Sequence, residues 1–111
     1  MIYSLKHTDD MPKWKAGYSR AWFIRIRPAH KDDLGLLAHE KEHVRQWWIT
    51  LGISSILYLF KRYRLGAEVK AYKEQMKYST NLLEARICFA KRLVVYYNLG
   101  IDYDEAFRLL E

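Results

Sequence analysis

Five residues near the middle of the chain, His39-Glu40-Lys41-Glu42-His43, constrain its fold more than any other stretch. On an α-helix, residues four apart lie on the same face, one turn apart, so the two imidazoles would be neighbours. Two imidazoles at that spacing can bind one Zn²⁺ ion, and Glu40 beside them could polarise a metal-bound water. The sequence therefore predicts one zinc ion per chain, provided that a helix turns these residues inward.

The residues around the motif indicate that a helix would bury it. A projection at about 100° per residue places both histidines and Glu40 on the side of the large apolar residues. Lys41, Glu42 and Arg45 fall on the opposite side and are expected to face water. A carboxylate among apolar side chains is costly unless something compensates its charge, and a cation would do so. The phase of the helix therefore favours a metal site over two ordinary histidines beside an accidental glutamate.

A second helix is predicted over residues 67–78, after Gly66, and it too turns a carboxylate toward its apolar face. Glu68 alone among its charged residues falls on the inward face. A catalytic zinc site uses three protein ligands and keeps an open position for water. Glu68 is therefore the natural third ligand beside His39 and His43.

Length and composition favour one α+β domain over residues 1–111, mostly helical. Half of the residues are hydrophobic and 15% are aromatic, which is enough for a core. The patterns predict the helix of the motif, three or four further helices and a short antiparallel β-ribbon, with a period-two strand over Tyr18–Arg27. Cys88 is the only cysteine, so no internal disulfide can form, and the N-terminus lacks a signal-peptide pattern. Both features favour a cytoplasmic protein.

Charge and hydrophobicity leave two questions open. The net charge of +6 favours acidic surfaces, but it is too weak alone to indicate nucleic-acid binding. Residues 47–60 form the most apolar run, which is too short for a membrane-spanning helix. The expected structure of this run is a core-packed helix end, a turn and a short helix. The alternative is a contact with a membrane surface or a partner, helped by Lys61, Arg62 and Arg64.

The stretch from Leu36 to Tyr72, together with the strand before it, resembles the small HExxH zinc metallopeptidases of the gluzincin type. Compact members of that group from phages, bacteria and archaea are of similar size. The features that match are the HExxH helix, a long apolar segment and a following helix that begins GAEVKAY. The resemblance implies a zinc-dependent hydrolase of peptide or protein substrates. His39, His43 and Glu68 would be its metal ligands.

The resemblance also implies roles for other residues. Glu40 corresponds to the general base that takes a proton from water and gives it to the leaving amine. The substrate-binding strand corresponds by position to Tyr18–Arg27. Many gluzincins have an aspartate where this chain has Tyr72, so another residue must anchor a metal-bound histidine. Candidates for the substrate strand are Trp22, Ile24 and Ile26, and candidates for the surroundings of the metal or the oxyanion are Tyr72, Gln46, Arg86, Tyr63 and His30.

Other classes of protein fit the same sequence. In one, zinc only ties two helices together in a non-catalytic interaction module, basic and associated with membrane or nucleic acid, and a fourth protein ligand would close the site. In another, the motif is incidental and no metal binds. A latent peptidase is a variant of the main interpretation, in which the segment after Gly100 covers the cleft. For Arg86, packing of the stem with the head on a surface carboxylate competes with pairing to an active-site carboxylate.

Overall fold

The architecture of this chain is known from a computed structural model that describes residues 1–111. The predicted α+β class is confirmed, with five helices and one small sheet packed against the first helix. None of the helices combines the length and the apolar character needed to cross a membrane. The elements in chain order are β1 (Ser4–His7), β2 (Gly17–Arg20), β3 (Phe23–Ile26), a 3-10 turn (Pro28–His30), α1 (Leu34–Ile49), α2 (Ser54–Leu57), α3 (Lys61–Met76), α4 (Leu82–Tyr96) and α5 (Tyr103–Leu109).

Short polar side chains define where three of the helices begin. Asp33 accepts a hydrogen bond from the Leu36 amide at the start of α1. Asn81 and Asp102 do the same at the starts of α4 and α5. Each cap satisfies an amide that lacks a partner within its helix, and the two aspartates also place negative charge at the positive end of the dipole. These local signals fix the starts of α1, α4 and α5, whereas α3 begins without a side-chain cap.

The expected antiparallel ribbon is present as β2 and β3, and β1 extends it to a three-stranded mixed sheet. Its strands lie in the order β1-β3-β2, with β1 parallel and β2 antiparallel to β3. The prediction of one strand over Tyr18–Arg27 is wrong, because the chain turns back at Ala21 and Trp22. Ala21 adopts a positive φ of 52°, which alanine rarely does. The turn lacks the Asn-Gly or Gly-containing pair that usually marks a two-residue hairpin. The alternation of side chains in the sequence continues through it, so the pattern does not indicate a turn.

One face of the sheet packs on α1. Ile24 and Ile26 of the central strand are buried and form a cluster with Leu36 and Val44 of α1. Their side chains therefore stabilise the contact between the sheet and the helix that carries the histidines. This contact holds α1 in place from one side.

A second core lies among α3, α4 and α5 and includes Tyr72, Leu93 and Leu110. The segment after Gly100 supplies part of this core rather than a free tail. Arg86 belongs to the same region, since its Nε donates to the Phe107 carbonyl oxygen at 2.7 Å and its guanidinium lies 3.8 Å from the centre of the Phe107 ring. Arg86, on α4, thus packs against Phe107 of α5 and bonds to its backbone carbonyl, and it pairs with neither a surface carboxylate nor an active-site carboxylate.

Helix α3 begins earlier than predicted. The sequence analysis starts this helix after Gly66, whereas the structure starts it at Lys61 and places Gly66 inside it. No atom lies within 4 Å of the position that a Cβ would take at Gly66, so the glycine marks neither a turn nor a close approach. The inward phase of Glu68 is confirmed, because it is 2% exposed.

Glu42 corrects the predicted outer face of α1. It is buried rather than exposed to water, and Arg45 binds both of its oxygens, from Nε and Nη2, at 2.6 Å each. Although burial raises the pKa of Glu42, the hydrogen bonds and charge of Arg45 lower it overall. This buried carboxylate is therefore stabilised within its own helix.

The structure agrees with one of the two expectations for the apolar run 47–60. Its secondary structure is confirmed as the end of α1, a turn and the short helix α2. Its expected burial is wrong, because Ser54 is buried while Trp48 and six further apolar side chains of the run are exposed. The six that are more than half exposed are Ile49, Leu51, Ile53, Ile56, Leu59 and Phe60.

Candidate metal centre

Helices α1 and α3 bring the two histidines of the motif together with Glu68. The Nε2 atom of His39 lies 3.2 Å from Oε1 of Glu68, and Nε2 of His43 lies 3.1 Å from Oε2. One ligand atom from each of the three residues falls within 4.8 Å of the other two. All three side chains are buried or nearly so, at 15% exposure or less. The predicted group of potential metal ligands therefore exists as a cluster in the fold.

The spacing and chemistry of this cluster fit a zinc ion. Ligand atoms about 2.0–2.2 Å from a tetrahedral Zn²⁺ lie about 3.3 Å from one another, close to the nitrogen–oxygen distances between Glu68 and the two histidines. Imidazole nitrogens and a carboxylate oxygen are ordinary zinc ligands. The group holds three protein residues and no fourth. A metal bound there would thus keep a position for water or substrate.

Gln46 fixes the orientation of His43. Its Oε1 lies 3.2 Å from Nδ1 of His43, while its Nε2 donates to the Ala67 carbonyl oxygen at 3.3 Å. Because an amide oxygen can only accept, Nδ1–H of His43 donates and Nε2 is directed to Glu68. A hydrogen bond of this kind sets the tautomer and ring position of a metal-binding histidine. Gln46, one turn along α1 from His43, is therefore hydrogen-bonded to one of the three potential metal ligands.

Tyr58 holds the carboxylate of Glu68 from the other side. Its hydroxyl donates to Oε2 of Glu68 at 2.5 Å. Burial and the negative charge of Glu68 both raise the pKa of Tyr58, so the hydroxyl stays protonated and remains a donor. Sequence analysis missed this residue because it sits in the apolar run, ten residues before Glu68. The hydroxyl of a lone tyrosine in such a run is the one signal that could have indicated it.

His39 has no such support on its second nitrogen. Its Nδ1 is buried and has no hydrogen-bond partner. The ring of Tyr72 packs edge-on against the imidazole instead, with 4.4 Å between ring centroids. The Tyr72 hydroxyl is bonded to the Tyr97 hydroxyl at 2.7 Å and is thus directed away from a hydrogen-bonding role to His39. Tyr72 therefore contacts His39 by packing of its ring, in place of the hydrogen bond that an aspartate at this position would accept.

The electrostatics of the cluster favour charged forms. Burial lowers the pKa of His43, but the charge of Glu68 and its hydrogen bond more than offset this and raise the pKa to about 9. Burial likewise raises the pKa of Glu68, yet the charge of His43 and the hydrogen bonds of both histidines depress it well below its usual range. Glu68 is thus a carboxylate at neutral pH, as a metal ligand must be.

Glu40 lies beside this group without belonging to it. It is 5% exposed and lines the same cleft as the histidines and Glu68. It is not one of the three residues that converge on a common point. A buried carboxylate next to a potential metal position can accept a proton from water there. This is the placement that the helix projection predicts.

The cleft has a volume of about 700 Å³ and is bounded by β2 on one side and by α1, α2, α3 and the end of α4 on the others. Such a volume is typical of a small-molecule or peptide site. Strand β2 is at the edge of the sheet, so one side of its backbone lacks a partner strand. No residue after Asn98 lines the cleft, so the segment after Gly100 does not cover it.

The structure brings only some of the predicted residues to this cleft. Tyr72, Gln46 and Tyr63 line it, whereas Arg86 and His30 do not. Trp22, Ile24 and Ile26 are also absent from its walls: Trp22 is at the hairpin turn, and the two isoleucines face α1. Residues that line the cleft and were not predicted to do so include Tyr58, Arg92, Tyr97, Ser54, Lys15 and Arg20.

What the fold establishes is a buried group of His39, His43 and Glu68 on α1 and α3 that could bind a metal ion. The group arises from an HExxH helix and a glutamate on a later helix, with a cleft beside it. Comparison of the chain with protein-family models, with curated proteins and with solved structures gives no match.

Proposed function

We propose that this chain is a zinc-dependent peptidase, similar in its site to the HExxH enzymes of the gluzincin type. The observation that supports this most strongly is the convergence of His39, His43 and Glu68 on one point, with Glu40 buried beside it in an open cleft. Four titratable side chains on the inner faces of two helices are costly to bury without a function that uses them.

In this proposal His39, His43 and Glu68 hold the zinc ion. Zinc bound there would supply Lewis-acid chemistry, which makes water more acidic and polarises a carbonyl. Glu40 takes the proton of the attacking water and gives it to the leaving amine. Gln46 keeps Nε2 of His43 directed to the site, and Tyr58 occupies one oxygen of Glu68, which leaves the other oxygen for the metal.

The substrate would lie along β2 as an added strand. The Arg27 amide donates to the Ala16 carbonyl oxygen at 3.0 Å, and hydrogen-bonded pairs alternate along an antiparallel ladder. The backbone groups of Gly17 and Ser19 therefore point to the open edge, which lies along the cleft. This replaces the expected contribution of Trp22, Ile24 and Ile26 with the backbone of β2.

The peptidase is favoured over a zinc-stapled scaffold because the ligand group contains three protein residues and a cleft adjoins it. A purely structural zinc site is usually closed by a fourth protein ligand. Latency through the C-terminal segment has no support, because α5 packs into the core among α3, α4 and α5.

Substitution Glu40→Gln tests the proposal. It removes the base but none of the ligands, so it should leave zinc stoichiometry and melting temperature near those of the parent. Cleavage of a mixed peptide library should fall by about 10²–10⁴-fold, the usual contribution of a general base.

Three outcomes would count against the mechanism. Loss of zinc in Glu40→Gln would make Glu40 a ligand. Equal cleavage by both proteins would assign the hydrolysis to another site. Full zinc with no cleavage by the parent would favour the non-catalytic module.

A further inference from the structure

The end of α1, the following turn and α2 expose a continuous stretch of apolar side chains. Six large residues between positions 49 and 60 are at least half exposed, with Leu51 at 86% and Leu59 at 76%. Single exposed apolar residues are common on proteins, but contiguous sets usually mark a binding surface. We call this set the 49–60 surface; it consists of Ile49, Leu51, Ile53, Ile56, Leu59 and Phe60.

The local structure holds these side chains outward. Along α2 and its flanking turns, Ile53 and Ile56 face water while Ser54 is buried and lines the cleft. Leu51 has a positive φ of 53°, a conformation that a leucine adopts rarely and at some cost. Hydrogen bonds from the Leu51 amide to the Trp48 carbonyl oxygen and from the Gly52 amide to the Trp47 carbonyl oxygen hold this turn. The most exposed leucine of the surface is therefore fixed in a protruding position.

The charge around this surface has one sign. No acidic residue occurs between Glu42 and Glu68, a stretch that contains the whole 49–60 surface. Lys61 and Arg62 follow the surface directly, and both are exposed. Arg64 is used internally, since it donates to the carbonyl oxygens of Tyr58 and Tyr97. Two free cations thus border the apolar side chains, in a chain whose net charge is +6.

We propose that the 49–60 surface binds an anionic phospholipid bilayer, with its apolar side chains among the acyl chains and Lys61 and Arg62 at the lipid headgroups. Exposed apolar residues beside cations are the pattern of interfacial membrane binding, in which burial and attraction to anionic lipid act together. A second copy of this chain fits less well, because pairing would bring two surfaces of the same positive sign together. The proposal depends neither on zinc nor on hydrolysis.

Vesicle sedimentation of the full chain tests it. Vesicles of phosphatidylcholine with phosphatidylglycerol should sediment the parent, vesicles of phosphatidylcholine alone should bind it at least tenfold more weakly, and raised salt should reduce the difference. Leu51→Asp and Leu59→Asp should each reduce binding at least tenfold. Aspartate tolerates a positive φ better than leucine, so Leu51→Asp should still fold. Lys61→Gln and Arg62→Gln should each reduce binding about fivefold.

Leu34→Asp is the matched control. Leu34 is 61% exposed, follows two aspartates and lies at the start of α1, where an added carboxylate is well tolerated. Its vesicle binding should equal that of the parent. The proposal is overturned if phosphatidylglycerol vesicles do not bind the parent, or if Leu34→Asp loses as much binding as Leu59→Asp. It is also overturned if light scattering shows a lipid-independent dimer that Leu51→Asp makes monomeric.

Discussion

The cleft and the 49–60 surface lie on two sides of the same short helix, and each inverts the usual distribution of residues. On the inner side, Tyr58 joins a buried cluster of histidine and glutamate side chains. On the outer side, Ile56 and Leu59 are exposed. The carboxylate of Glu68 bonds to Tyr58 and to both histidines, and Gln46 bonds to His43, whereas Nδ1 of His39 is buried without a partner. The apolar side chains outside are exposed to solvent, and they are the ones for which we propose a lipid bilayer as the binding partner.

The strongest test of this comparison truncates one fully buried leucine of the core and one exposed leucine of the 49–60 surface. Leu93→Ala removes a fully buried side chain from the core among α3, α4 and α5 and should lower the free energy of unfolding by about 2–5 kcal/mol. Leu59→Ala should change it by no more than about 0.5 kcal/mol, because Leu59 is 76% exposed. Urea unfolding measures both. A comparable loss for Leu59→Ala would mean that the 49–60 surface is part of the core.

Tyr58→Phe tests the part of the comparison that concerns the cleft. The substitution removes the hydrogen bond to Glu68 and leaves the ring in place, so zinc affinity should fall about 10–100-fold, as for other residues that hold a metal ligand. Competition with a chelator of known affinity measures this. Tyr78→Phe is the control, because Tyr78 is 57% exposed and outside the cleft. Unchanged affinity in Tyr58→Phe would remove Tyr58 from the site.

The smallest effect concerns the helix that joins the two regions. Gly66 lies inside α3, between the 49–60 surface and Glu68, with open space around the position of a Cβ. Gly66→Ala should therefore raise the free energy of unfolding by about 0.5–1 kcal/mol, through helix propensity and a less flexible unfolded chain. A loss of stability in chemical unfolding would indicate a break at Gly66, as the sequence analysis expected.

Helical phase could be predicted because it depends only on local spacing. Glu40 and Glu68 both face inward as the projections indicate, since a rotation of about 100° per residue holds wherever the helix forms. The caps Asp33 and Asn81 likewise depend on local spacing, since each bonds to an amide three residues along the chain. The burial of Glu42 could not be predicted, because it depends on how Arg45 folds over it, which the phase does not determine.

Features that depend on distant contacts escaped prediction. The hairpin at Ala21 has no glycine, asparagine or proline to mark it. Tyr58 lies ten residues before Glu68, and their hydrogen bond depends on how the chain turns between α2 and α3. The exposure of Leu59 contradicts its hydrophobicity, because hydrophobicity predicts burial only where the chain supplies a surface to pack against.

The most direct test of the central claim is the zinc content of three proteins prepared side by side: the parent, Glu68→Gln and Glu42→Gln. Both substitutions neutralise a buried glutamate, but Glu68 faces the two histidines and Glu42 faces Arg45. We expect one zinc ion per chain in the parent and in Glu42→Gln. In Glu68→Gln we expect the zinc affinity to fall more than about 100-fold. That loss is larger than the one expected when a residue that only supports a metal ligand is removed. Full zinc binding by Glu68→Gln, or no zinc in the parent, would contradict the account.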